Sequence, residues 1–148
     1  MSRKTCIILL ISEMQKRCTS VIMNIRQSAE DYLETILIIN ERKGAVRSID
    51  IANELGYSKP SVSVAMKNLR ENGYIHVDDG GHITLTDAGY AIADKIYERH
   101  KVVSQYFVLL GVDPETATSD ACEIEHILSN ESFEAIRAQY EKLKSEQQ

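Results

Sequence analysis

Between Ile49 and Leu85 the hydrophobic period of the chain changes from helical to alternating, and few folds accept that order. Ile49-Asp50-Ile51-Ala52-Asn53-Glu54-Leu55-Gly56 reads as a short helix closed by glycine, with Ser48 as its expected cap. Tyr57-Ser58-Lys59 forms a turn, and Pro60 suits the first turn of a second helix over Ser61 to Asn72. There Val62, Ala65, Met66 and Leu69 follow helical spacing and should face a core, leaving Ser61, Ser63, Lys67 and Arg70 more exposed. Gly73 closes that helix. Tyr74-Ile75-His76-Val77 and His82-Ile83-Thr84-Leu85 then flank Asp78-Asp79-Gly80-Gly81, the pattern of a β-hairpin.

Two short helices joined by a glycine-containing turn form a helix-turn-helix, and a hairpin directly after them makes a winged helix. Its second helix would be the recognition helix. Arg47, Tyr57, Ser58, Lys59, Ser61, Ser63 and Lys67 are the candidates for reaching double-stranded DNA, mostly through phosphates. His76 and His82 read as surface residues of the wing, not as ligands.

The flanking segments are helical. Ser28 to Arg42 carries Tyr32, Leu33, Ile36, Leu37 and Ile39 on a broad apolar face, and Asp31 and Glu34 lie three apart, so they can point the same way. After a cap at Thr86 or Asp87, a long helix runs from about Ala88 to Leu110 with His100 at its middle. A fifth helix is expected from Pro114 or Glu115 to Leu128, and a last one from Glu131 to about Lys144, capped by Asn130. The expected fold is mainly α with a small β-hairpin: a winged helix-turn-helix over 23–87 and a helical domain over 88–148. Residues 1–22 read as a poorly ordered N-terminal extension upstream of Met23, with little role.

In Ala121-Cys122-Glu123-Ile124-Glu125-His126, the thiol, carboxylate and imidazole of Cys122, Glu125 and His126 fall at i, i+3 and i+4. On a helix they share one face and suit a divalent transition metal. Taken alone, the hexapeptide is better read as an exposed charged face with a half-buried cysteine. The rest of the chain reverses that weighting.

The net charge of −5 hides an uneven distribution. From Glu41 to Arg70 six basic residues face three acids, whereas from Gly111 to Gln148 three bases face nine acids. A basic middle joined to an acidic end points to a phosphate-facing module coupled to something else, such as a cation site. Three cysteines, Cys6, Cys18 and Cys122, are too few and odd in number for a secreted disulfide framework. No apolar run reaches the roughly 20 residues that span a bilayer, so a cytoplasmic location without membrane contact is expected.

Taken together, Ser28-Ala29-Glu30-Asp31-Tyr32-Leu33-Glu34, the helix-turn-helix from Ile49 to Leu69, Leu85-Thr86-Asp87-Ala88-Gly89, Glu98-Arg99-His100 and Asp120 to His126 resemble the DtxR/MntR family of metal-dependent transcriptional repressors. The resemblance covers about Met23 to Tyr140. It implies a homodimeric repressor of a palindromic operator, in which 88–148 is a helical metal-binding and dimerisation domain, with a metal site of Asp31, Glu34, His100, Cys122, Glu125 and His126. The chain ends too early for the SH3-like domain of the larger iron-type members, which makes it look like the short manganese-type branch. Asp31 matches the manganese-type pattern and Cys122 the iron-type one. Ser104 and Thr118 stand where iron-type members have further ligands, so that ancillary site is expected to be absent. The implied cofactor is Mn²⁺ or Fe²⁺, with Zn²⁺ or Co²⁺ able to bind in vitro, since a thiolate favours softer metals than carboxylates do.

Two rivals accompany this reading. One is a winged-helix regulator that senses an organic ligand or oxidation. The other, a metalloenzyme, lacks a nucleophile–base arrangement or a phosphate-binding loop, so no catalysis and no organic substrate are expected.

Overall fold

The structure, a computed structural model, describes residues 27–146; the expected extension over 1–22 lies outside them. Helix α1 occupies residues 27–43, and Gly44, at a φ of 74°, ends it. Helix α2 (Ser48–Leu55) and helix α3 (Lys59–Glu71) follow. Strands β1 (Ile75–Val77) and β2 (Ile83–Leu85) form an antiparallel hairpin that pairs Ile75 with Leu85, His76 with Thr84 and Val77 with Ile83. Helices α4 (Asp87–Leu109), α5 (Pro114–Ile124) and α6 (Asn130–Glu146) complete the described chain.

Several boundaries differ from expectation for local reasons. Ser48 lies inside α2; its N-cap is Arg47, whose N–H donates to the Asp50 carboxylate at 3.0 Å. Helix α3 starts two residues before Ser61, because Ser58 Oγ caps it by accepting from Ser61 N at 3.3 Å, with Pro60 in the first turn. Asn130 does not cap α6: Ser129 Oγ accepts from Ser132 N at 3.0 Å instead. Helix α5 stops at Ile124 rather than Leu128, where Ile127 N and Leu128 N both turn back to Ile124 O at 3.1 Å.

Two apolar clusters share α4. Leu33, Ile36 and Ile39 from α1 meet Ile51, Val62, Ile75, Ile83 and, from α4, Ala93. Further along α4, Val102 and Val103 pack with Ala121, Phe133 and Tyr140. The first cluster is locked to α4 at Gly89, where a Cβ would lie 2.0 Å from Tyr74 O. Only glycine allows that approach. Thr86 adds to it, accepting from Gly89 N at 3.1 Å and donating to Gly73 O at 2.8 Å.

Candidate metal centre and nucleic-acid interface

Where the two clusters meet, α1 presents Glu30, Asp31 and Glu34 towards α4 and the end of α5. Glu34, His100 and Glu125 bring one ligand atom each to within 4.8 Å of one another. Glu125 is fully buried and Glu34 is 8% exposed. His100 Nδ1 lies 2.9 Å from Glu125 Oε2. His126 extends the cluster: its Nδ1 is 2.9 Å from Glu30 Oε2, and its Nε2 is 2.8 Å from Asp31 Oδ1 and 3.4 Å from Glu125 Oε1. Glu125 Oε1 is buried with no hydrogen-bond partner among the described residues.

Burial works against a charge on His126, but the Asp31 and Glu30 carboxylates outweigh it and push its pKa up to about 10. Burial, followed by the charge of Glu125, pushes Glu34 up to about 7. Burial also raises Glu125, while its hydrogen bond raises His100. These groups hold protons that a cation would displace.

Five of the six expected ligands thus form one continuous cluster. Cys122, one turn earlier on α5, is exposed as a residue and lies outside the Glu34–His100–Glu125 triad. Burial of its thiol end, followed by the charges of Glu125, Asp31, Glu34 and Glu123, pushes it up to about 11. The donor set fits a divalent cation. Carboxylates and imidazoles converge, and Glu125 Oε1 is buried without a hydrogen bond from the described residues.

Two contributors escaped the sequence reading. Glu30 stands in the first turn of α1, where an acid suits the helix dipole, and its contact with His126 spans 96 positions, which no local pattern encodes. Arg99, only 5% exposed, donates to Glu125 O at 3.0 Å, Leu128 O at 2.8 Å and Asn130 Oδ1 at 2.6 Å, and stacks on Phe133 at 5.1 Å. It takes carbonyls in the turn that follows α5 and so ties that turn to α4. The signal was a basic residue placed next to His100.

On the opposite side of the first cluster, Arg47, Tyr57, Ser58, Lys59, Ser61, Ser63 and Lys67 are all exposed. A shallow cleft lined by Ser48, Ser63, Lys67, Arg70 and Val77 places the start of α2, the body of α3 and the hairpin on one basic face. Tyr57 also stacks edge-on against Tyr32, with ring centres 5.9 Å apart, which ties the turn to α1.

A winged helix joined through a long helix to a helical unit, with an acid–imidazole cluster at the junction, defines a DNA-binding regulator with a cation-type site. Residues 24–83 match the family described as iron dependent repressor, N-terminal DNA binding domain, and residues 86–148 match iron dependent repressor, metal binding and dimerisation domain. An uncharacterized HTH-type transcriptional regulator of Methanocaldococcus jannaschii is 38% identical over 80% of this chain and 96% of its own length. Transcriptional regulator MntR of Escherichia coli is 36% identical over 76% of this chain and 72% of its own length. A solved manganese-dependent transcriptional repressor in complex with manganese matches with a TM-score of 0.69 and 29% identity, over 76% of this chain and 52% of that one. The chain therefore spans about half the length of that solved relative. It belongs to the DtxR/MntR family of metal-dependent transcriptional repressors, which are DNA-binding regulators and not enzymes.

Proposed function

We propose that this protein is a metal-activated repressor that acts in the cytoplasm. In this reading it binds a palindromic operator as a homodimer when Mn²⁺ or Fe²⁺ is held by Asp31, Glu34, His100, Glu125 and His126, with Cys122 as the adjustable sixth donor. One observation carries the proposal: the cluster takes its members from α1 of the winged helix and from α4 and the turn after α5 in the helical half. A bound cation would supply the positive charge that these carboxylates lack. Burial, followed by the charge of Glu125, resists ionisation of Glu34 at this junction, and a cation there would tighten it. Tightening it fixes the separation of two recognition helices, which must match a spacing of about 34 Å or a multiple of the helical turn. Coupling of about 1–3 kcal/mol gives roughly 5–150-fold tighter DNA binding.

A gel-shift titration with Mn²⁺, with Fe²⁺ and with chelator tests this. Equal affinity in all three would refute it. His126→Ala should abolish the metal response, whereas a sensor of an organic ligand or of oxidation would retain its own.

A further inference from the structure

The wing carries a chain of polar contacts that metal binding does not use. Asp78 closes the hairpin turn, with Asp78 N donating to His82 O at 3.0 Å and Gly81 N to Asp78 O at 2.9 Å. Its carboxylate accepts from His82 N at 2.8 Å and sits 3.2 Å from His82 Nδ1. On the other side of the ring, His82 Nε2 lies 3.2 Å from an Arg47 guanidinium nitrogen. A guanidinium only donates, so Nε2 accepts, and the ring proton sits on Nδ1, facing Asp78. The order carboxylate, neutral imidazole, guanidinium is therefore fixed by chemistry.

The surrounding backbone supports that order. Ile83 N donates to Val46 O at 2.8 Å, which joins β2 to the residue before Arg47. The Arg47 main chain is itself held by Asp50. Gly80 leaves the space the ring needs, since a Cβ there would come within 3.1 Å of His82 Nδ1 and 3.2 Å of Asp78 Oδ1. With Arg47 as its third member, the group repels a cation rather than collecting one.

We propose that His82 is a positioning residue for DNA binding: braced by Asp78, it holds the exposed Arg47 side chain on the basic face, ready for a backbone phosphate. The inference rests on the DNA-binding reading above. A free arginine loses rotamer freedom when it meets a phosphate, whereas a braced one has lost much of it already. The bond to His82 uses one of the five guanidinium donors, and the others remain for a charge-assisted contact.

The test uses the full chain with Mn²⁺ and the duplex that the wild-type protein selects from a randomised pool. His82→Phe keeps a ring but removes the acceptor; it should weaken binding about 10-fold and lower the slope of log affinity against log salt by about 0.9, the value of one phosphate contact. His82→Gln, whose amide oxygen can accept from Arg47, should restore most of the affinity. Arg47→Ala should cost as much as His82→Phe, and the double variant little more than either, because His82 acts through Arg47. Additive losses, or a His82→Phe variant with unchanged affinity and salt slope, would overturn the inference. A wild-type chain that selects no duplex would overturn the DNA-binding reading itself, and the inference with it.

Discussion

The junction cluster and the recognition face treat charge in opposite ways. At the junction, Glu34 and Glu125 are buried and burial works against the ionisation of both, with the charge of Glu125 adding to it at Glu34, so the chain folds despite its functional groups. On the recognition face, Lys59, Lys67 and their neighbours stand in solvent, where charge costs folding almost nothing. Function and stability are therefore coupled at the junction and separable on the face. Arg99 is what makes the junction affordable, because it pins the turn that carries Glu125 and His126 to α4.

The sharpest test of this contrast is Arg99→Met. Losing the guanidinium leaves the Glu125 and Leu128 carbonyls without their donor, and about 3 kcal/mol of stability should vanish in urea unfolding. A loss under about 1 kcal/mol would show that the turn holds without it. Next in size is the metal itself. Mn²⁺ at a hundredfold its dissociation constant should add about 2.7 kcal/mol, read as a rise in Tm. No rise would break the coupling between site and fold.

Glu125→Gln should move stability and function in opposite directions. Removing one buried charge should stabilise the metal-free chain by about 1 kcal/mol while erasing the Mn²⁺ increment. A variant destabilised without metal would show that the carboxylates are not in conflict. Smallest in stability is Lys67→Ala, which should change unfolding by less than about 0.5 kcal/mol yet lower the salt slope of DNA binding by about 0.9. Cys122→Ser probes the edge of the junction. It should leave Mn²⁺ activation intact and abolish the sulfur-to-metal charge-transfer band with Co²⁺; the absence of that band in the wild-type chain would remove Cys122 from the ligand set.

What was legible in the sequence is what local spacing encodes. The apolar faces of α1 and α3, the glycine stop at Gly56 and the alternation of the hairpin each lie within one element, and the structure reproduces them. The site was legible where it repeats at one helical turn, as in Glu125 and His126 after Cys122. Tertiary exchange of hydrogen bonds was not legible. Arg99, on α4, takes the carbonyls of Glu125 and Leu128 in the turn after α5, and Glu30 meets His126 across 96 positions. Arg47 caps α2 through Asp50, in place of the better capping residue beside it, because Ser48 is already within the helix.

Helix α4 has one further consequence. Its 23 residues form a rod of about 34 Å at the usual rise, anchored in the wing by the contact that only Gly89 permits. His100 lies near the middle of that rod, so the cluster grips a lever between its ends. A tilt of about 5° over that length displaces the far end by about 3 Å. A displacement at His100 is thereby roughly doubled at the end of α4 farthest from the wing, because His100 lies 11 residues beyond Gly89 and Leu109 lies 20 beyond it.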